Sequence, residues 1–595
     1  MPARPLGSES YQNDNFMLPS TIQPGLDLND TIGAFLADLD YGAVSSNEFQ
    51  LNNFGGGSSE YLNLDVPFPS SPLATSSTSS LSTELNSHQS WRGSTGISAA
   101  KRNQIMKEAD NVITQGQELS ISVFPSRLAF ERLLTTFFEI FPLYLPFIHI
   151  PTWRAEMASP CLLQSMAALS ASFNKEHKAA QDLYQAARRS VTKQLESSYA
   201  WTTEQPVWLV QSILILMACG VSSGKLGTFN EALLWAPLLA NIVRCKQTPE
   251  VIIPEDDAEL FMTWERWIEY ETTVRTKCAV FCFLNNLTVC FNVAPPLLDW
   301  EMGCAFLPCS ESQWLCTTPE SWFEGRTRIS HPPIRFSEAL NCLLSPSAPL
   351  RAVKTSSFGA YVILHALLQR MWRFKQDMWM VNDITNHMSI SHIAVQRWQV
   401  CWEENSESSS SPSSPHGAVS SNAAALLRLV HMQLYTDFSA VRSAIVSHDV
   451  EKIVKSMKEL TITIDHSNSS LKTISHAINA LRTRIRMGMA LKGGCIGSHH
   501  NFQLHLVSIE CCLFANAWMK EISTRPEAEW TTDEDECVKL VKETLGEIEL
   551  DQENAYKPYS TQLVYAWALI FDCCAVWGLQ SILTAALKKF ADSLS

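Results

Sequence analysis

At 595 residues, with 46% apolar side chains, 27 phenylalanines and 18 tryptophans, the chain can bury a large core and has room for roughly two to four ordinary domains. Its formal net charge of −15 excludes a surface that wraps nucleic acid, because such a surface needs clustered lysine and arginine to displace counterions. Any contact with DNA would have to be local.

The 17 cysteines do not show the spacing of a metal site. None stands in a C-x-x-C pair, no six-cysteine run or H-x-x-x-H pair occurs, and the first cysteine is Cys161. Zinc modules need thiolate and imidazole ligands at short fixed spacings. We therefore expect reduced core cysteines in a nuclear or cytosolic protein, with no metal and no cofactor.

Nothing near the N-terminus resembles the apolar core of a signal peptide. Three apolar runs, 207–221, 278–298 and 563–587, are predicted to be buried helices rather than membrane spans. The first is shorter than the ~20 residues of a span, and the other two carry Asn285, Asn286 and Asp572 near their middles. No membrane contact is expected.

Residues 1–100 are predicted to be disordered. From Pro5 to Trp91 there are ten acidic residues and no lysine or arginine, and the acids alternate with large apolar side chains. This composition is typical of an activation region that offers its apolar side chains to a coactivator, and the alternative is an acidic tail with no partner. The candidate contacts to the transcription machinery are Phe35, Leu36, Asp38, Leu39, Asp40 and Tyr41.

The folded part is predicted to open with a helix whose apolar residues form one stripe, at offsets 0, 3, 4, 7, 8 and 11 from Phe130. We expect Pro142 to interrupt this helix and a second apolar helix to follow over 161–173. Further helices are predicted over 179–195, 207–219, ended by Gly220, and 233–243. Apolar helices without strand–helix alternation predict an all-α fold, a multi-helix bundle with a disordered N-terminal tail.

The run from Gly220 to Gly224 matches G-x-S-x-G, the nucleophile elbow of α/β-hydrolases. That motif needs a strand before the serine and a helix after it, and the chain lacks the pattern of a parallel sheet. Serine and glycine are also common between two helices, so no catalytic residue is predicted here.

A second organised stretch begins at 264. Trp264, Trp267, Glu271 and Arg275 share one helical face, and Glu271 stands four residues before Arg275, the favoured order for a helical ion pair. If the tryptophans bury this pair, loss of one partner would cost ~3–5 kcal/mol. The alternative is an ordinary surface pair, which contributes only ~0.3–0.5 kcal/mol.

The residues of these stretches resemble the fungal-specific transcription factor domain, the middle homology region found downstream of zinc-finger or zinc-cluster modules. The helix 264–276 resembles the family's Trp-x-x-Trp-x-x-x-Glu-x-x-Arg-Arg-Thr motif, with Val274 in place of the first arginine and Asn285 where an aspartate is common. Segment 307–314 resembles its Leu-Pro-Cys-x-Glu-x-x-Trp motif. The structural motif residues that the resemblance implies are Trp264, Trp267, Glu271, Arg275, Pro308 and Trp314.

The predicted organisation has four parts: the acidic segment 1–100, a family-type helical domain over 120–403, a Ser/Pro-rich linker or loop over 404–422, and a C-terminal helical part over 423–595. The family's zinc module is missing. The chain therefore either lacks the module and works as a partner of a DNA-bound regulator, or its gene model has lost an N-terminal exon.

The resemblance implies a nuclear transcriptional regulator of a fungus, and family members often control a metabolic or secondary-metabolite gene set. The alternative is an all-α enzyme of terpene-synthase type. Such an enzyme would need clustered aspartates for magnesium on a helix facing a cavity, whereas Asp256-Asp257 and 533–536 are expected in polar loops. We therefore expect the protein not to be an enzyme.

Overall fold

A computed structural model describes residues 94–110, 124–197, 205–245, 263–328, 333–349, 353–376, 384–408, 417–462, 464, 468–486, 502–573 and 578–594. Within these ranges the chain forms 21 α-helices and no strand, apart from one isolated antiparallel bridge between Phe306 and Arg335. The predicted all-α class is confirmed. The predicted activation contacts from Phe35 to Tyr41 lie outside the described residues.

The helices of the first half are α1 (Ala99–Asp110), α2 (Arg127–Tyr144), α3 (Pro160–Phe173), α4 (His177–Ser197), α5 (Val207–Ser222), α6 (Leu226–Cys245), α7 (Trp264–Phe291), α8 (Glu311–Trp314), α9 (Pro319–Arg328) and α10 (Phe336–Leu344). Those of the second half are α11 (Ser357–Gln376), α12 (Ile384–Glu403), α13 (Gly417–Tyr435), α14 (Ser439–Val446), α15 (Val450–Glu459), α16 (Asn468–Arg486), α17 (Phe502–Ile522), α18 (Thr532–Gly546), α19 (Gln552–Ala555), α20 (Tyr559–Cys573) and α21 (Gly578–Asp592).

Helix α2 buries the whole apolar stripe predicted from Phe130 onward, and the Ser126 hydroxyl caps its start by accepting from the Ala129 N–H. Pro142 lies inside this helix, so the expectation that it interrupts the helix is wrong. Proline removes one backbone N–H and its ring strains the preceding turn of a helix. Pro142 nevertheless stays helical, and the helix continues for two residues beyond it. The helix ends at Tyr144, where the Leu145 N–H donates to the Phe141 carbonyl.

Helix α5 is buried along nearly its whole length and packs against α3, α4, α6 and α7. The prediction that Gly220 ends it is also wrong, since the helix continues to Ser222. Gly220 is needed for a close approach, because a Cβ there would come within 2.8 Å of the Thr228 carbonyl oxygen on α6. The left-handed residue lies further on, at Gly224, with φ of +70°.

Helix α7 runs 28 residues and packs against helices from both halves of the chain, α5, α6, α11, α14 and α17. Its second half is buried on every side, which is why no single apolar stripe marks it in the sequence. Helices α13 and α17 pack against each other, and α13 also contacts α2. The N-terminal and C-terminal helices therefore share one core.

Two predicted boundaries and one predicted loop need correction. Residues 94–100, assigned to the disordered segment, pack on the helical part: the Ile97 N–H donates to Glu131 and the Ser94 carbonyl accepts from Ala155. The predicted Ser-rich loop ends early, because α13 begins at Gly417. The aspartates at 533–536 lie in the first turn of α18, where acidic side chains complement the helix dipole.

The three apolar runs tested as membrane spans fall largely in buried helices. By length and hydropathy, one helix of the described residues could cross a membrane, Leu226–Arg244 in α6, and 39% of that window is buried inside the protein. Core helices of soluble proteins meet the same criterion. Of the 17 cysteines, 13 are free thiols at described positions, and Cys278, Cys282 and Cys290 are buried as expected.

Candidate functional site

The motif residues of α7 converge on one buried guanidinium, that of Arg275, whose side chain is 0% exposed. Its Nε donates to Glu271 Oε1 over 2.8 Å, within the helix, and its Nη1 donates to Glu311 Oε1 over 2.7 Å. The ion pair predicted from the spacing is therefore present, and it is buried rather than on the surface. It belongs to a larger charge cluster.

The remaining N–H groups of Arg275 donate to backbone of two distant segments. Nη1 also contacts the Pro146 carbonyl over 3.3 Å, and Nη2 donates to the Cys309 carbonyl over 2.9 Å and approaches Cys309 Sγ at 3.8 Å. All three guanidinium nitrogens are thus engaged, so none is left to bind a ligand. We call this cluster, formed by Arg275, Glu271, Glu311 and the carbonyls of Pro146 and Cys309, the Arg275 joint, and its role is structural.

Carboxylates outnumber cations at this joint. The Glu271 Oε1 atom also accepts from the Cys309 N–H, at 2.9 Å. Glu407, which follows α12, accepts from the Glu311 N–H at 2.9 Å and from the Ser357 N–H at 3.0 Å. Glu407 therefore ties the start of the Ser-rich segment to α8 and to the first turn of α11.

Burial raises the pKa of Glu311 to about 7, although Arg275 acts to lower it. For Arg275, burial acts to lower the pKa, but the attraction of Glu311, Cys309 and Glu271 and the hydrogen bond to Glu271 together outweigh it, so the pKa of the guanidinium is raised and it stays charged. The negative charges of Glu407 and Glu271 add to the effect of burial on Glu311, so its carboxyl group titrates close to neutral pH.

Tryptophan rings cover one side of the joint. Trp267, Trp314 and Trp322 form a buried cluster, with Trp264 packed against it. The Arg275 Cζ lies 4.4 Å from the centroid of the Trp314 ring, a cation–π geometry. The last motif residue, Pro308, accepts from the Ser356 hydroxyl through its carbonyl at 2.9 Å.

His149 is the residue that sequence reasoning did not single out. Its ring meets Trp314 edge-on at 4.7 Å between centroids, and its Nδ1 lies 2.7 Å from the Thr152 hydroxyl. Burial, and then the charge of Arg275, lower the pKa of His149 to about 4, so the imidazole is neutral at pH 7. The aromatic segment 147–153 could have pointed to His149 as part of the site. Nothing in the Ser-rich stretch around Glu407 marks that residue in the same way.

The G-x-S-x-G run has helix on both sides instead of a strand and a helix. Ser222 ends α5, and the Ser223 hydroxyl contacts the Thr228 hydroxyl and donates to the Gly220 carbonyl at 2.9 Å. This is a turn between two helices, and the nucleophile-elbow geometry is absent from it. Among the described residues, no group of three or more His, Cys, Asp or Glu could hold a metal ion.

We expect Glu311→Gln to change how stability depends on pH. The pKa of Glu311 is about 7 in the folded chain and near 4.5 when unfolded, so between these values the folded state binds more protons. Its contribution to the free energy of unfolding is therefore full below pH 4.5 and is lost as the pH rises to about 7. The glutamine variant removes that fall, measured as urea unfolding midpoints from pH 4.5 to 7.5.

His149 faces the same cluster and has the opposite slope, because its lowered pKa lets the unfolded state bind more protons between about 4 and 6.5. His149 is present in both the wild type and the Glu311→Gln variant. The difference between their pH profiles of stability therefore reports Glu311 alone. The matched control is Glu459→Gln, a carboxylate that is 67% exposed. A variant with the wild-type profile would show that Glu311 is ionised throughout.

Models of two known protein families match the helical part of the chain. A family model for the fungal specific transcription factor domain matches residues 134–482, which include all six motif residues, and a model for the fungal transcription factor C-terminal domain matches 437–589. The chain is similar to Probable transcription factor TDA9 of Saccharomyces cerevisiae, at 25% identity over 289 residues, covering 43% of this chain and 23% of that protein. It thus spans about a quarter of the length of that curated relative. No solved structure matches the chain.

Proposed function

Because the chain belongs to the fungal-specific transcription factor domain family, we propose that it is a nuclear transcriptional regulator, controlling a metabolic or secondary-metabolite gene set. The observation that carries the proposal is the match over 134–482, more than half of the chain. In this proposal the helical part is the regulatory domain, and DNA is reached either through a DNA-bound partner protein or through a zinc module of the same protein.

The second part of the proposal concerns the acidic segment 1–100. We propose that it is an activation region that binds the transcription machinery or a coactivator. Phe35, Leu36, Leu39 and Tyr41 supply apolar contacts, and Asp38 and Asp40 keep them solvated until a coactivator groove takes them. The charges around Arg275 hold segments of the chain together, so the cluster has a structural role in the helical part.

The test tethers residues 1–100 to a heterologous DNA-binding domain in a fungal reporter strain. We expect several-fold activation over the DNA-binding domain alone. Changing Phe35, Leu36, Leu39 and Tyr41 together to alanine should remove most of it, because the apolar side chains make the contacts. The readout is reporter expression at equal protein abundance.

The matched control changes Ser76, Ser77, Ser79 and Ser80 to alanine in the same segment, and it should leave activation unchanged. No activation by the wild-type segment would remove the activator part of the proposal. Family membership, which depends on the helical part, would stand.

A further inference from the structure

A cavity of about 140 Å³ lies beside the turn between α5 and α6, away from the Arg275 joint. Its walls come from α3, α4, α5 and α6 and from Gly578, the first residue of α21. The buried part of the wall is mainly apolar and is formed by Ala168, Ala180, Tyr184, Cys219, Gly220 and Ser222. An apolar chamber of close to this size, ~150 Å³, is large enough for a benzene ring.

The exposed rim of this cavity is polar, and its charges attract negatively charged groups. Lys225 and His177 line it, and no aspartate or glutamate is among the lining residues. The Lys225 Nζ donates to the amide oxygen of Gln181 at 2.7 Å, so the ammonium lies across the opening between α6 and α4. Three helices, α4, α6 and α21, begin at this rim, and helix N-termini carry partial positive charge.

A second, inner cavity shares Ser222 with the first but is far smaller, about 30 Å³. The Oδ1 atom of Asn286, a residue that is 4% exposed, lines it without a hydrogen-bond partner among the described residues. That volume suits a single water molecule that would donate to Asn286. Of these two cavities in the described part of the chain, the outer one is the one with room for a ligand larger than water.

We propose that the outer cavity binds a small carboxylic acid with a compact apolar body, the size of a benzene ring or a branched chain. The apolar body fills the chamber between Ala180 and Gly220, and the carboxylate replaces Gln181 as acceptor for the Lys225 ammonium. A charge-assisted hydrogen bond of this kind favours the anion over its neutral isostere. The inference is independent of the proposed transcriptional role.

The site would also connect two regions of the family. Gly578 belongs to the region matched as the C-terminal domain, whereas the rest of the lining belongs to the region matched as the transcription factor domain. A bound acid therefore touches both regions at the contact between α5 and α21. Binding would stabilise the folded chain, by an amount that grows with the logarithm of the ligand concentration once this exceeds Kd.

The experiment titrates the purified full chain with benzoate, phenylacetate and isovalerate, using calorimetry and thermal unfolding. We expect saturable binding of at least one acid and a rise in melting temperature. Benzamide, the neutral isostere of benzoate, should bind about tenfold more weakly. Lys225→Glu should abolish binding, and because Lys225 is exposed this variant is expected to fold.

Ala180→Phe fills the chamber and should also abolish binding, with helicity checked by circular dichroism. The matched control is Lys193→Ala, an exposed lysine of α4 outside the cavity, which should bind as the wild type does. No binding of any of the three acids would overturn the proposal. Undiminished binding by Lys225→Glu or Ala180→Phe would overturn the assignment to this cavity.

Discussion

Replacement of Arg275 by alanine is expected to lower the free energy of unfolding by ~3–5 kcal/mol. The change leaves Glu271 and Glu311 buried, 3% and 5% exposed, with no cation beside them. It also frees the Pro146 and Cys309 carbonyls, which lose their donor. Loss of one partner from a buried pair costs far more than the pair contributes net, because the remaining charge stays desolvated.

Thermal unfolding followed by circular dichroism measures this effect. An unfolding entropy of ~2.1 cal/mol/K per residue over the helical part converts the loss into a fall of roughly 3–5 °C in melting temperature. Tryptophan fluorescence should change as well, since the Arg275 guanidinium lies against the Trp314 ring. Arg275→Lys should recover only part of the loss, because one ammonium cannot reach the same set of acceptors.

The matched control is Lys455→Ala, which removes the same i,i+4 type of pair at the surface. Lys455 lies 3.8 Å from Glu459, and the two side chains are 74% and 67% exposed. This variant should change stability by less than ~0.5 kcal/mol. Equal melting temperatures for the two variants would show that the Arg275 cluster does not hold the fold together.

The contrast between these two pairs shows what sequence spacing can and cannot predict. A spacing of four residues predicted both partners of the Glu271–Arg275 pair, because local helix geometry determines which side chains meet. The other partners are remote: Pro146 lies 129 residues away in the chain, and Glu407 lies 96 residues from Glu311. Which segments meet there depends on how whole helices pack, which a single sequence does not encode locally.

Helix ends were predicted less well than helix cores, for a related reason. Local preference predicts an interruption at Pro142 and a helix end at Gly220, but both residues lie inside helices. Proline and glycine report local preferences, and here the packing of α2 and α5 outweighs them. For Gly220 the real requirement is the α6 backbone at its side, which the sequence around it does not show.

The second large effect is expected from Gly224→Ala, at the turn between α5 and α6. Gly224 has φ of +70°, a conformation that costs an alanine ~1–2 kcal/mol. An added Cβ would also overlap the backbone of Gly578 at the start of α21, and overpacking of this kind costs ~1–3 kcal/mol. We therefore expect a loss of about 2–5 kcal/mol in the free energy of unfolding, measured by urea unfolding.

Two further variants separate the cost of the left-handed backbone at Gly224 from the cost of its contact with Gly578. Gly578→Ala would place a Cβ against the Ser223 carbonyl oxygen, so it should cost the overpacking part alone. Gly227→Ala, three residues from Gly224 in α6, meets nothing within 4 Å and should be neutral or slightly stabilising, because alanine favours the helix. A neutral Gly578→Ala would contradict the close approach of α5 and α21. In that case any loss in Gly224→Ala would come from its left-handed backbone, and the two regions of the family would not be held together at this turn.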